Sequence, residues 1–197
     1  LDHHLGDGCT YIMQTGREYH DIFPVWDWQK IPGATIEQAP ELTGEIRRKG
    51  TRPFVGGVSD GMYGLAAFDF ERDGLAAKKA WFFFDTGFVC LGAGIGCKSV
   101  NPVVTTVNQC FLKGDVLASD GVRLSPLERG RHDFFTAGQA FWHDGVGYVF
   151  PGKQNLRLEN DARTGSWSRI TTQGSADEIS LDVFTLAINH GVSPDGG

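Results

Sequence analysis

Hydrophobic and polar positions alternate along most of this chain in short runs, and glycine-bearing turns interrupt them every ten residues or so. The turns fall at Gly16, Pro32-Gly33, Gly56-Gly57, Asp73-Gly74, Gly114-Asp115, Asp120-Gly121, Asp144-Gly145, Pro151-Gly152 and Thr164-Gly165. Between them, Val103 to Phe111, Gly147 to Phe150, Gly165 to Thr171 and Ile179 to Ile188 carry the period-two pattern of strands. The stretch from Pro53 to Ile95 reads as consecutive antiparallel strands, with Ser59-Asp60-Gly61 as a turn between Val58 and the run Tyr63 to Phe70. Lys79 to Asp85 (KAWFFFD) is apolar on both faces, so it has to be covered on both sides, as in the inner layers of a sandwich. Glu41 to Lys49 is the one short segment with a helical look. The pattern predicts a single all-β domain over residues 1–197, without repeat, linker or low-complexity tract.

Composition adds limits. A chain of 197 residues with 41% apolar content is long enough for one sizeable β core. A net charge of −6 argues against nucleic acid or any polyanion held by bulk electrostatics, so an acidic ligand would need local arginines. No run approaches the roughly 18 apolar residues of a membrane span, and Leu1 does not open a signal peptide. Cys9, Cys90, Cys97 and Cys110 lack Cys-x-x-Cys spacing; they allow two disulfides in an exported protein but read better as buried free thiols.

Several sets of residues invite chemistry and have plainer explanations. Ser59 lacks the G-x-S-x-G elbow of a hydrolase nucleophile. Gly92 to Gly96 has no helix after it and the wrong spacing for a dinucleotide, so a tight strand connection explains its glycines. Asp69, Glu71 and Asp73 make an oxygen-rich stretch that calcium could use, although alternation with Phe70 suggests a solvated hairpin edge; no other cofactor is expected. His132-Asp133 and His143-Asp144 read as turn or surface pairs, and Trp142 and Trp167 flank polar turns.

The phrases FVGGVSDGMYG, KKAWFFFD and LGAGI resemble the middle β-domain of polysaccharide lyase family 8, the chondroitin, hyaluronate and xanthan lyases. GDGCTYI (Gly6 to Ile12), FPVWDWQKIPGATIE (Phe23 to Glu37) and LAINHGVSPDGG (Leu186 to Gly197) fit the same family in order. The resemblance implies an antiparallel super-sandwich of the galactose mutarotase type, as an incomplete part of a larger secreted or periplasmic lyase. It also implies an acidic, uronate-containing polysaccharide as partner, cut by β-elimination. An asparagine neutralises the carboxylate, a base removes the C5 proton and a tyrosine protonates the leaving O4. In the family those groups lie in a helical toroid domain upstream, so the resemblance places no catalytic residue in this chain. Both ends are expected to be cuts within a longer protein, the pattern continuing after His190-Gly191 into a further strand. The competing class is a non-catalytic sandwich that binds glycan or holds a neighbouring domain, including the mutarotase-like sandwiches appended to other carbohydrate enzymes.

The resemblance brings the N-terminal edge nearest the cleft, which makes His3, His4 and Asp7 candidates for substrate binding. Asp7 between two glycines is equally a turn residue whose carboxylate takes backbone amides. His3 and His4 depart from the aromatic residue usual in the family, and on an extended chain they point to opposite faces, which disfavours joint metal ligation. Trp26 and Trp28 share one face of a strand and could stack on sugar rings, although Pro24, Ile31 and Pro32 beside them favour packing. Trp81 within KAWFFFD is read as core.

Overall fold

The computed structural model describes residues 4–40 and 50–196, so Glu41 to Lys49 and His3 lie outside the described residues. Alternating patterns become thirteen strands among them: β1 (Thr35–Glu37), β2 (Val55–Ser59), β3 (Gly64–Arg72), β4 (Leu75–Phe84), β5 (Gly87–Cys97), β6 (Pro102–Phe111), β7 (Leu117–Ser119), β8 (Leu124–Pro126), β9 (Gly130–Phe134), β10 (Gln139–His143), β11 (Val146–Phe150), β12 (Leu156–Gly165) and β13 (Ile179–Val192). They form three antiparallel sheets, in the orders β1-β6-β13-β12-β9, β11-β10-β7-β8 and β2-β3-β4-β5.

Alternation decides which faces meet. On β12 and β13, Leu156, Leu158, Phe184 and Leu186 point one way and pack with Phe141, Tyr148 and Phe150 of the second sheet. The opposite face of β12 carries Arg157, Glu159, Asp161 and Arg163. A buried chain of hydrogen bonds ties the two sheets to the N-terminal segment. The Tyr19 hydroxyl donates to Asn108 Oδ1 (2.8 Å), Asn108 Nδ2 donates to the Tyr148 hydroxyl (2.8 Å), and the Ile12 amide donates to the Tyr19 oxygen (3.1 Å). The side-chain polar atoms of Tyr19, Asn108 and Tyr148 thus each keep a partner.

The third sheet packs through Phe70, Leu75, Ala77, Ile95 and Cys97 against Val103 at the start of β6. Its other face is open among the described residues, with Phe84 53%, Leu91 54% and Val58 69% exposed. KAWFFFD, expected to be covered on both sides, is therefore covered here on one side and only toward its start; Phe83 as well as Phe84 is exposed.

Several local expectations change. Gly165 to Thr171 is not a strand: Gly165 is the last residue of β12, where the Pro24 carbonyl occupies the place of a Cβ and only glycine fits, and Trp167–Arg169 turns as a 3-10 helix. β12 itself went unread, since only Leu156 and Leu158 mark its buried side and charges fill the other. Gly92 to Gly96 is the interior of β5 beside a bulge, with Gly94 at φ 60°, and not a connection between strands. Pro194 to Gly196 bonds to β5 through Cys97 N to Pro194 O and Gly196 N to Ile95 O, both 3.0 Å. All four cysteines are free thiols, but Cys90 is exposed and Cys9 only half-buried.

His143 is a core residue and not a surface pair. Its ring stacks on Phe184 at 4.3 Å and Nε2 accepts the Lys113 amide N–H at 3.1 Å. Burial pushes its pKa down from 6.5 to about 4, and burial does the same to His190. Below 6.5 the unfolded chain takes up protons that the folded chain refuses, so stability is fully present above that value and falls as pH drops toward about 4. Denaturation midpoints followed by circular dichroism should fall over that window. His143→Phe should flatten the decline by up to about 1.4 kcal/mol per pH unit.

The open apolar face makes a second expectation. Residues 1–197 expressed alone should associate, as large exposed apolar patches do, and the pair Phe84→Lys and Leu91→Lys should shift the sedimentation profile toward monomer.

Candidate functional site

Several of the segments that carry the family resemblance, GDGC, IPGATIE, KKAW and INHG, come close together at one place. Residues 4–12 lie across the inward face of β3 and β4, where register aligns Phe68 with Lys79, Ala66 with Trp81 and Arg72 with Leu75. Gly8 passes so close to Phe68 and Trp81 that a Cβ would stand 2.7 Å and 3.3 Å from their rings. Thr10 Oγ1 accepts the Trp81 indole N–H at 2.7 Å, and the Thr10 amide donates to Pro32 O at 2.8 Å. Gly33, at φ 83°, presses on Thr10 and offers its carbonyl to the Lys79 ammonium. Trp81 is thus half-buried beneath the N-terminal segment, its N–H satisfied, and not a wholly buried core residue.

Two charges are buried in this joint. Arg72 NH1 donates to Asp7 Oδ1 and Oδ2 at 2.9 and 3.1 Å, with both side chains buried. Asp7 Oδ2 also meets His4 Nδ1 at 2.8 Å. The carboxylate is therefore engaged by side chains, whereas the sequence offered backbone amides as its partners. His4 sits in a turn and not on an extended chain. Lys79 is buried between the Gly33 carbonyl, Trp81 and the thiols of Cys9 and Cys90; burial pulls its pKa from 10.5 down to about 8. Beside it, His190 Nε2 meets Thr105 Oγ1 at 2.8 Å, which in turn meets Thr35 Oγ1 at 2.8 Å. Burial, and next the charge of Lys79, holds His190 low at about 4, so the ring is neutral.

The tryptophan pair divides. Trp26 is 3% exposed, its ring surrounded by Tyr19, Phe23 and Trp28, so it offers no face to a sugar. Trp28 is half-buried and stacked on the exposed Phe23 at 5.9 Å. The loop bearing both is fixed by the buried amide of Gln109, which accepts the Asp27 N–H at 2.9 Å and donates to Asp27 O and Lys30 O at 3.1 and 2.7 Å. At the C-terminal end of β3, Glu71 pairs with Arg52 and Asp73 lies beside Arg72. Among the described residues no three His, Cys, Asp or Glu side chains are grouped to hold a metal.

Arg72 and Lys79 were not singled out from the sequence. The signal was there: both occupy the inward parity of their strands, in line with Phe68 and Phe70 or Ala77 and Trp81. A cation on an apolar face needs a buried partner.

Residues 1–197 match the family model described as polysaccharide lyase family 8, super-sandwich domain. The chain is 45% identical to chondroitinase-AC of Pedobacter heparinus, over 99% of this chain and 28% of that protein. It is 31% identical to a hyaluronate lyase of Thermasporomyces composti (97% and 26%) and 30% identical to a xanthan lyase of a Bacillus species (98% and 22%). A solved chondroitinase AC lyase, studied with oligosaccharides, superposes with a TM-score of 0.90 at 42% identity over 99% of this chain and 30% of that one. The chain thus spans less than a third of the length of these relatives.

The Asp7–Arg72 pair yields a quantitative expectation. Asp7→Ala or Arg72→Ala leaves one buried charge behind and should cost about 3–5 kcal/mol in urea denaturation. The double change Asp7→Leu with Arg72→Met should recover much of that loss, because both charges leave together.

Proposed function

The chain belongs to polysaccharide lyase family 8, and on that footing we propose that it is the central β-sandwich of a longer protein that cleaves uronate-containing acidic polysaccharide, of chondroitin or hyaluronan type, by β-elimination. The observation that supports this reading is the joint itself. Separate segments resembling the family (GDGC, IPGATIE and KKAW) meet at the N-terminal edge, and INHG reaches Thr35 of IPGATIE through Thr105. In the reaction a base takes the C5 proton, its electron pair forms the C4–C5 double bond, and the C4–O4 bond breaks as a general acid protonates O4. Those groups are assigned to an upstream helical toroid domain, the partner of this sandwich, and no catalytic residue to this chain.

The sandwich supplies one wall of the cleft. His4 stands at its edge, and His3, outside the described residues, is kept as a substrate-binding candidate from its place in the sequence. Asp7 serves by holding His4 and by fastening the edge to Arg72, since its carboxylate is already engaged. Trp28, with Phe23 against it, is the aromatic candidate for a sugar face, and Trp26 supports it from beneath. Polymers of this kind lie outside the cell, so the protein would act secreted or in a periplasm.

The test is ultraviolet absorbance of the unsaturated uronate product, with chondroitin, hyaluronan and xanthan as substrates for the full parent protein and for residues 1–197. Activity of the parent alone is the expected result. Activity of the isolated segment would put the chemistry in the wrong domain. Inactivity of both on every acidic glycan would favour a binding or structural module.

A further inference from the structure

Away from the N-terminal joint, the charged outer face of the first sheet holds a hollow of about 150 Å3. It opens where the loop through Lys30 and Gln38 stops covering the strands. Val104 lies opposite Asn189, and Ala187 opposite Arg157, so all four side chains rise from the same face of β6, β13 and β12. Val104, Ala187 and Pro102 make an apolar floor; Lys30, Gln38, Asn189 and Arg157 complete the lining.

Each polar group is steadied by one end and keeps capacity at the other. Arg157 Nε bonds Asp133 Oδ1 at 2.8 Å, and Lys30 Nζ meets Asp27 Oδ2 at 2.5 Å. Gln38 Nε2 donates to Gln29 O and Ile36 O at 2.9 and 3.2 Å, and Asn189 Oδ1 accepts the Gly191 amide at 3.0 Å. Among the described residues the terminal nitrogens of Arg157, Gln38 Oε1 and Asn189 Nδ2 have no hydrogen-bond partner in the protein. An apolar floor with two cations, an amide donor and an amide acceptor around it matches one kind of small ligand: a pyranose ring with an apolar C–H face, hydroxyls and one anionic group.

We propose that this hollow binds a single anionic sugar unit, its carboxylate or sulfate held by Arg157 and Lys30 and its hydroxyls by Gln38 and Asn189, as an anchoring subsite separate from the N-terminal edge. The proposal rests on the reading that the parent protein handles acidic polysaccharide. It gives the sandwich a grip on the polymer of its own, besides being a wall.

The experiment is calorimetric titration of the full parent protein with hyaluronan and with sulfated chondroitin tetrasaccharides, beside the rate of β-elimination. The wild-type protein should show a second class of site, and Arg157→Gln or Lys30→Gln should weaken that class about tenfold, the loss expected for one charge-assisted hydrogen bond, with the elimination rate unchanged. Arg157→Lys should restore part of the affinity. Binding of both sugars identifies the uronate carboxylate as the recognised group, and binding of the sulfated sugar alone identifies the sulfate. A second site that survives both Gln substitutions, or no second site at all, overturns the proposal. A parent protein inactive on every acidic glycan removes the lyase reading, while the titration still decides the hollow by the same two outcomes. Exposed Arg123→Gln, in the turn between β7 and β8 of the second sheet, controls for general loss of positive charge and should leave the second site intact.

Discussion

Two cations on the inward face of one hairpin govern this structure. Arg72 and Lys79 project where Phe68, Phe70 and Ala77 project, toward the interior, and an ion removed from water there needs a partner in the protein. Asp7 answers the first and the Gly33 carbonyl the second. Both partners come from segments with no regular structure. The position of residues 4–12 and of the Pro32-Gly33 turn is therefore set by charge and hydrogen bonding to β3 and β4, with Gly8 and Gly33 permitting the close approach. A Cβ at Gly33 would stand 2.4 Å from the Thr10 nitrogen, which shows how little space the joint leaves.

Because the joint is built from buried charges, it adds specificity as much as stability. A buried ion pair seldom outperforms apolar packing of the same volume, but an alternative docking of the N-terminal segment would strand Arg72 without its carboxylate. That asymmetry fixes the segment in one place. The neutral His190 next to Lys79 follows the same logic, since burial and the charge of Lys79 both disfavour a second positive charge there.

The sandwich itself divides its labour by face. The first and second sheets close on each other through Phe184, Leu158, Phe141 and Tyr148, with Tyr19, Asn108 and Tyr148 carrying a satisfied polar chain through the packing. The outer side of β12 remains charged and holds the hollow at Arg157. The third sheet keeps one apolar side uncovered by any described residue. A family 8 sandwich of this shape thus presents three different surfaces: a fastened edge, a charged face and an apolar face.

The sequence by itself determined the class and the order of the strands, because period-two alternation and turn residues are local properties: β6, β11 and β13 were all legible, as was the turn at Asp60, whose carboxylate accepts the Met62 and Tyr63 amides. It also determined the family, because GDGC, IPGATIE and INHG occur in order. It did not reveal β12, whose outer positions are all charged or polar, nor why a glycine stands at Gly165, where Pro24 passes from 141 positions earlier in the chain. The partner of Asp7 lay 65 residues away in sequence, on a strand where Arg72 looked like one more hairpin charge. Trp26 and Trp28 shared one pattern and only packing separated them. Such facts belong to the tertiary structure for one reason: burial and pairing depend on which distant segment arrives, and alternation along a strand records the direction of a side chain but not what it meets.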